Sequence, residues 1–251
     1  MIPFFQLTQI PIGPLNIQAW GTLVALGLLL GTWVSAKRAK TQGFEPKLIW
    51  DFAFWTFLAA FLGARIFHVL FYDFGHYLAN PLDAINPALP GFSVIGGFIG
   101  ASITVIYLIR KHKLPFYKFA DAAIFGLPFG LMIGRLGCFV IHDHPGIPCL
   151  SNPLCVLYPD GIARHDHGLY LAMLGAITAV IFYIFGRKQR PDGFFLSLYL
   201  IIYSFSRFFL DFYRAIDARY LYLTPTQWLL LPAFFLGVYI FYNTIKLSTK
   251  K

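Results

Sequence analysis

Seven apolar runs, each long enough to cross a bilayer as a helix, leave this chain little choice of architecture. They fall at roughly 17–36, 49–72, 92–110, 119–141, 168–186, 193–213 and 225–245. Each comes within a few residues of the ~20 that a helix rising about 1.5 Å per residue needs to span the hydrocarbon core. In lipid a spanning segment must pair its own backbone N–H and C=O groups, so apolar runs of this length read as helices. The expected fold is an all-α integral membrane protein of seven transmembrane helices, with residues 1–251 forming a single polytopic membrane domain. A chain that is 58% hydrophobic and 12% charged is too apolar for a soluble domain of 251 residues.

The net charge of +9 would suggest nucleic acid in a soluble protein. Its placement argues otherwise. All lysines lie in four clusters: Lys37, Lys40 and Lys47; Lys111, Lys113 and Lys118; Lys188; and Lys246, Lys250 and Lys251. Arg38, Arg110, Arg187 and Arg190 join them. These clusters follow the first, third, fifth and seventh runs, and the other loops contain no lysine. The positive-inside rule then puts the N-terminus outside and the C-terminus in the cytoplasm, with no role for nucleic acid. Trp20 and Trp228 fall near the outer interface, and Trp33 and Trp50 near the inner one. The opening MIPFFQLTQIPIG lacks a basic region, and no small-residue cleavage site follows the first long run, so no cleavable signal peptide is expected.

The largest segment outside the runs is an external loop rich in His, Pro and Gly, residues 142–167; residues 73–91 form the next. Cys149 and Cys155 lie in the first of these, in an oxidising compartment, and a short disulfide between them is expected. Cys138 lies in the fourth run with no evident partner. Glycines recur four residues apart at Gly27 and Gly31, at Gly96 and Gly100, and at Gly126, Gly130 and Gly134, a spacing that lets helix backbones approach closely. Pro128 is expected to kink the fourth span.

Three arginines interrupt the apolar runs: Arg65, Arg135 and Arg207. Even lenient scales charge about 2.5–3.5 kcal/mol for a guanidinium at the centre of a spanning helix. Counted from the cytoplasmic ends of their spans, all three lie roughly 21–24 Å up, in the outer half of the core. A common level points to a shared anion, and the abundant anion of a bilayer is a lipid phosphate. The alternative is that they lock helices together through buried carboxylates or carbonyls, though few acids lie at that depth. In the sixth run Tyr203, Arg207, Asp211 and Arg214 line one helical face, so that Asp211 can pair with both arginines.

The fourth run ends in His142-Asp143-His144, and a second such triplet, His165-Asp166-His167, precedes the fifth. These residue types bind transition metals, but the spacing fits no standard structural zinc site, so neither a metal nor another cofactor is expected. Acid–base work fits better, because a histidine titrates near neutrality and a neighbouring aspartate can fix its tautomer. The bland alternative is two polar loop ends hydrogen-bonded to each other. The candidate catalytic residues are therefore His142, Asp143, His144, His165 and His167, with His142 or His144 as the base and Asp143 and the second triplet orienting it.

Five blocks, ARIFHVLFYDF with HYLANPL, FSVIGGFIG, GRLGCF, RHDHGLY and YSFSRFFLDFYR, resemble in order those of the prolipoprotein diacylglyceryl transferase family, nearly from end to end. The resemblance implies seven spans with the N-terminus outside, in the bacterial cytoplasmic (inner) membrane. It also implies transfer of a diacylglyceryl group from phosphatidylglycerol, or a similar anionic phospholipid, to the lipobox cysteine thiol at a prolipoprotein signal peptide. Arg135 and Arg207 then match the family's essential arginines, Arg65 its second-span arginine, Tyr203 its sixth-span tyrosine and Asp211 its sixth-span glutamate. Together these would bind the lipid headgroup. The chain departs from the pattern where the family has a histidine (Ile95), an asparagine (Cys138), a tyrosine (Trp20) and a glutamate (Leu171). A branch acting on another acceptor or lipid, or a lipid-binding membrane protein without catalysis, is the alternative. A transporter or receptor is disfavoured, since no chain of carboxylates or histidines crosses the core.

Overall fold

The computed structural model describes all residues except 14, 87, 88, 90, 151, 216–218 and 249–251. Among the described residues seven helical stretches are long and apolar enough to cross a membrane: Ala19–Thr41, Pro46–Phe71, Val94–Lys111, Phe116–Ile141, His167–Gly186, Phe194–Tyr213 and Pro225–Lys246. They correspond one for one to the runs in the sequence. The helices are α1 (Ala19–Thr41), α2 (Pro46–Phe71), α3 (Phe74–Ala79), α4 (Val94–Lys111), α5 (Phe116–Ile124), α6 (Leu127–Ile141), α7 (His167–Gly186), α8 (Phe194–Leu210) and α9 (Pro225–Ser248).

The fourth span is broken rather than kinked. Pro128 sits in the first turn of α6, where its missing N–H costs nothing. The groups freed at the break are met by α1, whose Ser35 Oγ donates to the Ala123 carbonyl (2.7 Å) and accepts from the Gly126 N–H (3.0 Å). The same helix pair closes on glycine: a Cβ at Gly27 would lie 2.6 Å from the Gly130 carbonyl oxygen. Helices α2 and α4 meet likewise, with a Cβ at Gly63 lying 2.5 Å from the Gly96 carbonyl oxygen. Such approaches replace the hydrophobic drive that is missing between helices in lipid.

At one end of the bundle the segments expected as plain loops form strands. Strands β1 (Ile2–Pro3), β4 (Pro145–Pro148), β5 (Val156–Leu157) and β6 (Ala163–Asp166) make one sheet in the order β1-β5-β6-β4, with β1 parallel to β5 and the other pairs antiparallel. Strands β2 (Gln9–Ile12) and β3 (Leu15–Gln18) form a hairpin that leads into α1. Strands this short give a weak period-2 signal, which is why the 142–167 segment read as loop. Cys149 and Cys155 are bonded within this head. The basic clusters lie toward the opposite end, where Asp121 accepts from the N–H groups of Gly193 (2.9 Å) and Leu196 (2.8 Å) and caps the start of α8.

Candidate active site

The three arginines do not share one set of partners. Arg65, on α2, is buried, and its five N–H donors meet five backbone carbonyls. Nε donates to Ala84 (3.0 Å), Nη1 to Leu89 (3.3 Å) and Gly91 (3.0 Å), and Nη2 to Asp83 (2.6 Å) and Asn86 (3.2 Å). The guanidinium thus organises the connection between α3 and α4. This departs from the headgroup role expected of it: with every donor engaged, it has none to offer a phosphate.

Arg207, on α8, is 5% exposed. Its Nη2 lies 3.0 Å from Asp211 Oδ1, and its Nη1 contacts His167 Nε2. Asp211 opens a 3-10 turn (Asp211–Tyr213), is fully buried, and accepts from Thr224 Oγ1 (3.1 Å) just ahead of α9. One carboxylate so ties α7, α8 and the start of α9 together. Tyr203, one turn before Arg207, stacks on Tyr199 at 5.4 Å against the aromatic core.

Arg135 differs from both. It lines a cavity of about 310 Å³ with Trp20 and Val24 of α1, Leu131, Gly134 and Cys138 of α6, and Asp143 and His144 beyond the helix end. The turn that carries the last two over the cavity is made by His142, the helix C-cap, in the left-handed conformation (φ 50°, ψ 43°). Arg135 Nη1 approaches Cys138 Sγ at 3.9 Å. His144 Nδ1 lies 2.5 Å from Asp143 Oδ1, and both side chains are about one-third exposed, at 37% and 30%. An imidazole, a carboxylate, a guanidinium and a thiol therefore line one accessible space.

The two His-Asp-His triplets meet through His142 and Asp166. His142 is buried, with Nδ1 2.7 Å from Asp166 Oδ2. Its ring stacks on Phe4 (4.9 Å) and meets Phe5, Phe139 and Tyr158. Asp166 also caps α7 by accepting from the Leu169 N–H (2.9 Å). The N-terminal segment closes over this pair and satisfies the last carbonyls of α6, through Leu7 N–H to Val140 (2.9 Å) and Gln6 Nε2 to Ile141 (2.9 Å). His142 ties the head to the bundle from a buried position. His165 bonds through Nδ1 to the Tyr170 hydroxyl (2.6 Å) and packs on Tyr213, at the polar end of a second cavity, of about 340 Å³, between α7 and α8. Only Asp143 and His144 of the six triplet residues line the Arg135 cavity.

Electrostatics in the head follow from these contacts. Burial pushes the His165 pKa down and the Tyr158 pKa up, with the Asp166 carboxylate adding to the second. The Arg164 guanidinium, 2.5 Å from Asp160 at closest approach, holds that carboxyl at about 2. Trp20 and Cys138 escaped the sequence reading as site residues. Cys138 follows Arg135 by three residues, and helical spacing alone puts both on one face.

A bundle of seven membrane-length helices with a charged cavity beneath a small sheet defines a polytopic membrane protein with a polar site at one end. The family described as prolipoprotein diacylglyceryl transferase matches residues 7–243, and the chain belongs to that family. It is 35% identical over 222 residues to a phosphatidylglycerol–prolipoprotein diacylglyceryl transferase of Photobacterium profundum, covering 86% of this chain and 83% of that one. Proteins of the same description from Nitrosomonas europaea (32% over 251 residues, 96% and 90% covered) and Polynucleobacter asymbioticus (34% over 250 residues, 95% of each) are also similar.

Proposed function

We propose that this chain is a phosphatidylglycerol–prolipoprotein diacylglyceryl transferase of the bacterial cytoplasmic membrane, with its head sheet on the external side. The observation that carries the mechanism is the cavity that joins Arg135 to the His144–Asp143 pair. A guanidinium can hold a phosphodiester through two parallel hydrogen bonds and stabilise the charge that collects on it as it leaves. His144, whose Nδ1 lies 2.5 Å from Asp143 Oδ1, takes the proton from the acceptor cysteine thiol through Nε2. The thiolate attacks the glycerol carbon that carries the phosphate. The carbon–oxygen bond breaks, glycerol phosphate departs, and a thioether remains on the acceptor. The Arg207–Asp211–His167 knot supports the reaction from inside, by fixing α7 and α8 beside α6, and Arg65 does so by holding the segment between α3 and α4.

Lipid binding without catalysis is a second reading. It draws on Ile95, an exposed apolar side chain where the family pattern has a histidine. Replacing the resident transferase of a bacterium with this chain separates the two. Mature, lipid-modified lipoproteins are expected; accumulation of unmodified precursors alongside correctly inserted protein would leave only the binding role.

A further inference from the structure

Cys138, Asp143 and His144 each turn a metal-ligating atom toward the others, and the three atoms lie within 4.8 Å of one another. We propose that they form a binding site for a thiophilic divalent cation of the zinc class, beside Arg135 and open to the cavity. The donors are one thiol, one carboxylate and one imidazole, drawn from a helix and the coil that follows it. A thiolate selects zinc, cadmium or cobalt over magnesium and calcium, which prefer oxygen. Tetrahedral zinc with bonds of about 2.0–2.3 Å sets its ligand atoms about 3.3–3.8 Å apart. The three atoms reach that spacing by small shifts of Asp143 and His144, which are partly exposed and lie outside the helix.

Two negative ligands balance the dication, and three protein ligands leave a fourth position for water or an anionic oxygen. The Arg135 guanidinium, 3.9 Å from Cys138 Sγ, adds attraction for an anion at that fourth position. The other His–Cys group among the described residues, His165 with Cys149 and Cys155, offers no such site, because its two cysteines are bonded to each other.

Occupation would engage the imidazole that takes the acceptor proton, so zinc is expected to inhibit transfer. That consequence rests on the function proposed above; the site itself does not. Of the three cysteines, Cys138 is the one free thiol, so binding can be followed on the full chain in detergent. After treatment with a chelator, one equivalent of Co²⁺ is expected to give a near-ultraviolet thiolate charge-transfer band. Micromolar Zn²⁺ is expected to slow maleimide alkylation of the thiol at least tenfold, and chelator to restore the rate. Cys138→Ser should lose the band, and His144→Ala should weaken cobalt binding by tenfold or more. Absence of both the band and the protection in the parent chain overturns the site, as does a band that survives Cys138→Ser. Binding without inhibition of transfer upholds the site and counts against His144 as the base.

Discussion

His142 and His144 stand two residues apart and face different environments. The ring of His142 is enclosed by Phe4, Phe5 and Tyr158 and bonded to a buried carboxylate. His142→Ala leaves Asp166 without that partner and is expected to lower stability by about 1.5–3 kcal/mol, the worth of a hydrogen bond to a charged group, measured by denaturation in detergent. His144→Ala should leave stability within about 0.5 kcal/mol and cut diacylglyceryl transfer on the order of a hundredfold. A reversed pattern, with His142→Ala stable but inactive, would return the base to His142. Arg135→Lys keeps the charge and loses the two-pronged contact, and is expected to slow transfer about 10- to 100-fold. The sequence pointed to these residue types without separating their roles. The division depends on a left-handed turn at a non-glycine residue, His142, which no periodic pattern announces.

At the scale of elements, apolar length carried the information about spans, and lysine placement carried the alternation of loops. What stayed hidden was formed by contacts between distant segments. Strand β1 at Ile2–Pro3 pairs with β5 at Val156–Leu157, and neither two-residue segment signals a strand on its own. Arg65 looked like a headgroup ligand because its carbonyl partners lie 18 to 26 residues away in an irregular segment. Arg65→Ala should therefore expose the connection between α3 and α4 to proteolysis before it changes affinity for lipid; unchanged cleavage would contradict the carbonyl cage. The head also carries a pH signature. Burial lowers the His165 pKa from an ordinary value of about 6.5, so the fold favours its neutral form. That contribution is complete above about pH 6.5 and is lost as pH falls through the lowered folded value. Asp160, held at about 2 by Arg164, does not titrate in this window. Protection factors of the β4–β6 amides, taken against the intrinsic exchange rate at each pH, should fall as the pH is taken from 7 to 5, and His165→Asn should remove much of that step; an unaltered profile in the variant would assign the step elsewhere.

For the whole molecule, transfer at the Arg135 cavity requires the head and the basic end to lie on opposite sides of one membrane. A reporter fused after Lys251 should read cytoplasmic and one inserted near Asn152 external; a cytoplasmic signal at Asn152 would break the arrangement of seven spans. With that topology the Arg135 cavity faces the outer leaflet, where a phospholipid headgroup and a translocated signal peptide can meet. The central claim is that this cavity joins the two as a thioether, and the acceptor itself gives the most direct reading. Purified chain in phosphatidylglycerol vesicles is supplied with a lipobox peptide, and the mass of the cysteine-containing fragment is measured. A gain equal to one diacylglyceryl group on the cysteine sulfur is expected, with glycerol phosphate released in equal amount and the gain strongly reduced in Arg135→Lys and His144→Ala. An acceptor that stays unmodified while the same protein binds phosphatidylglycerol would contradict it.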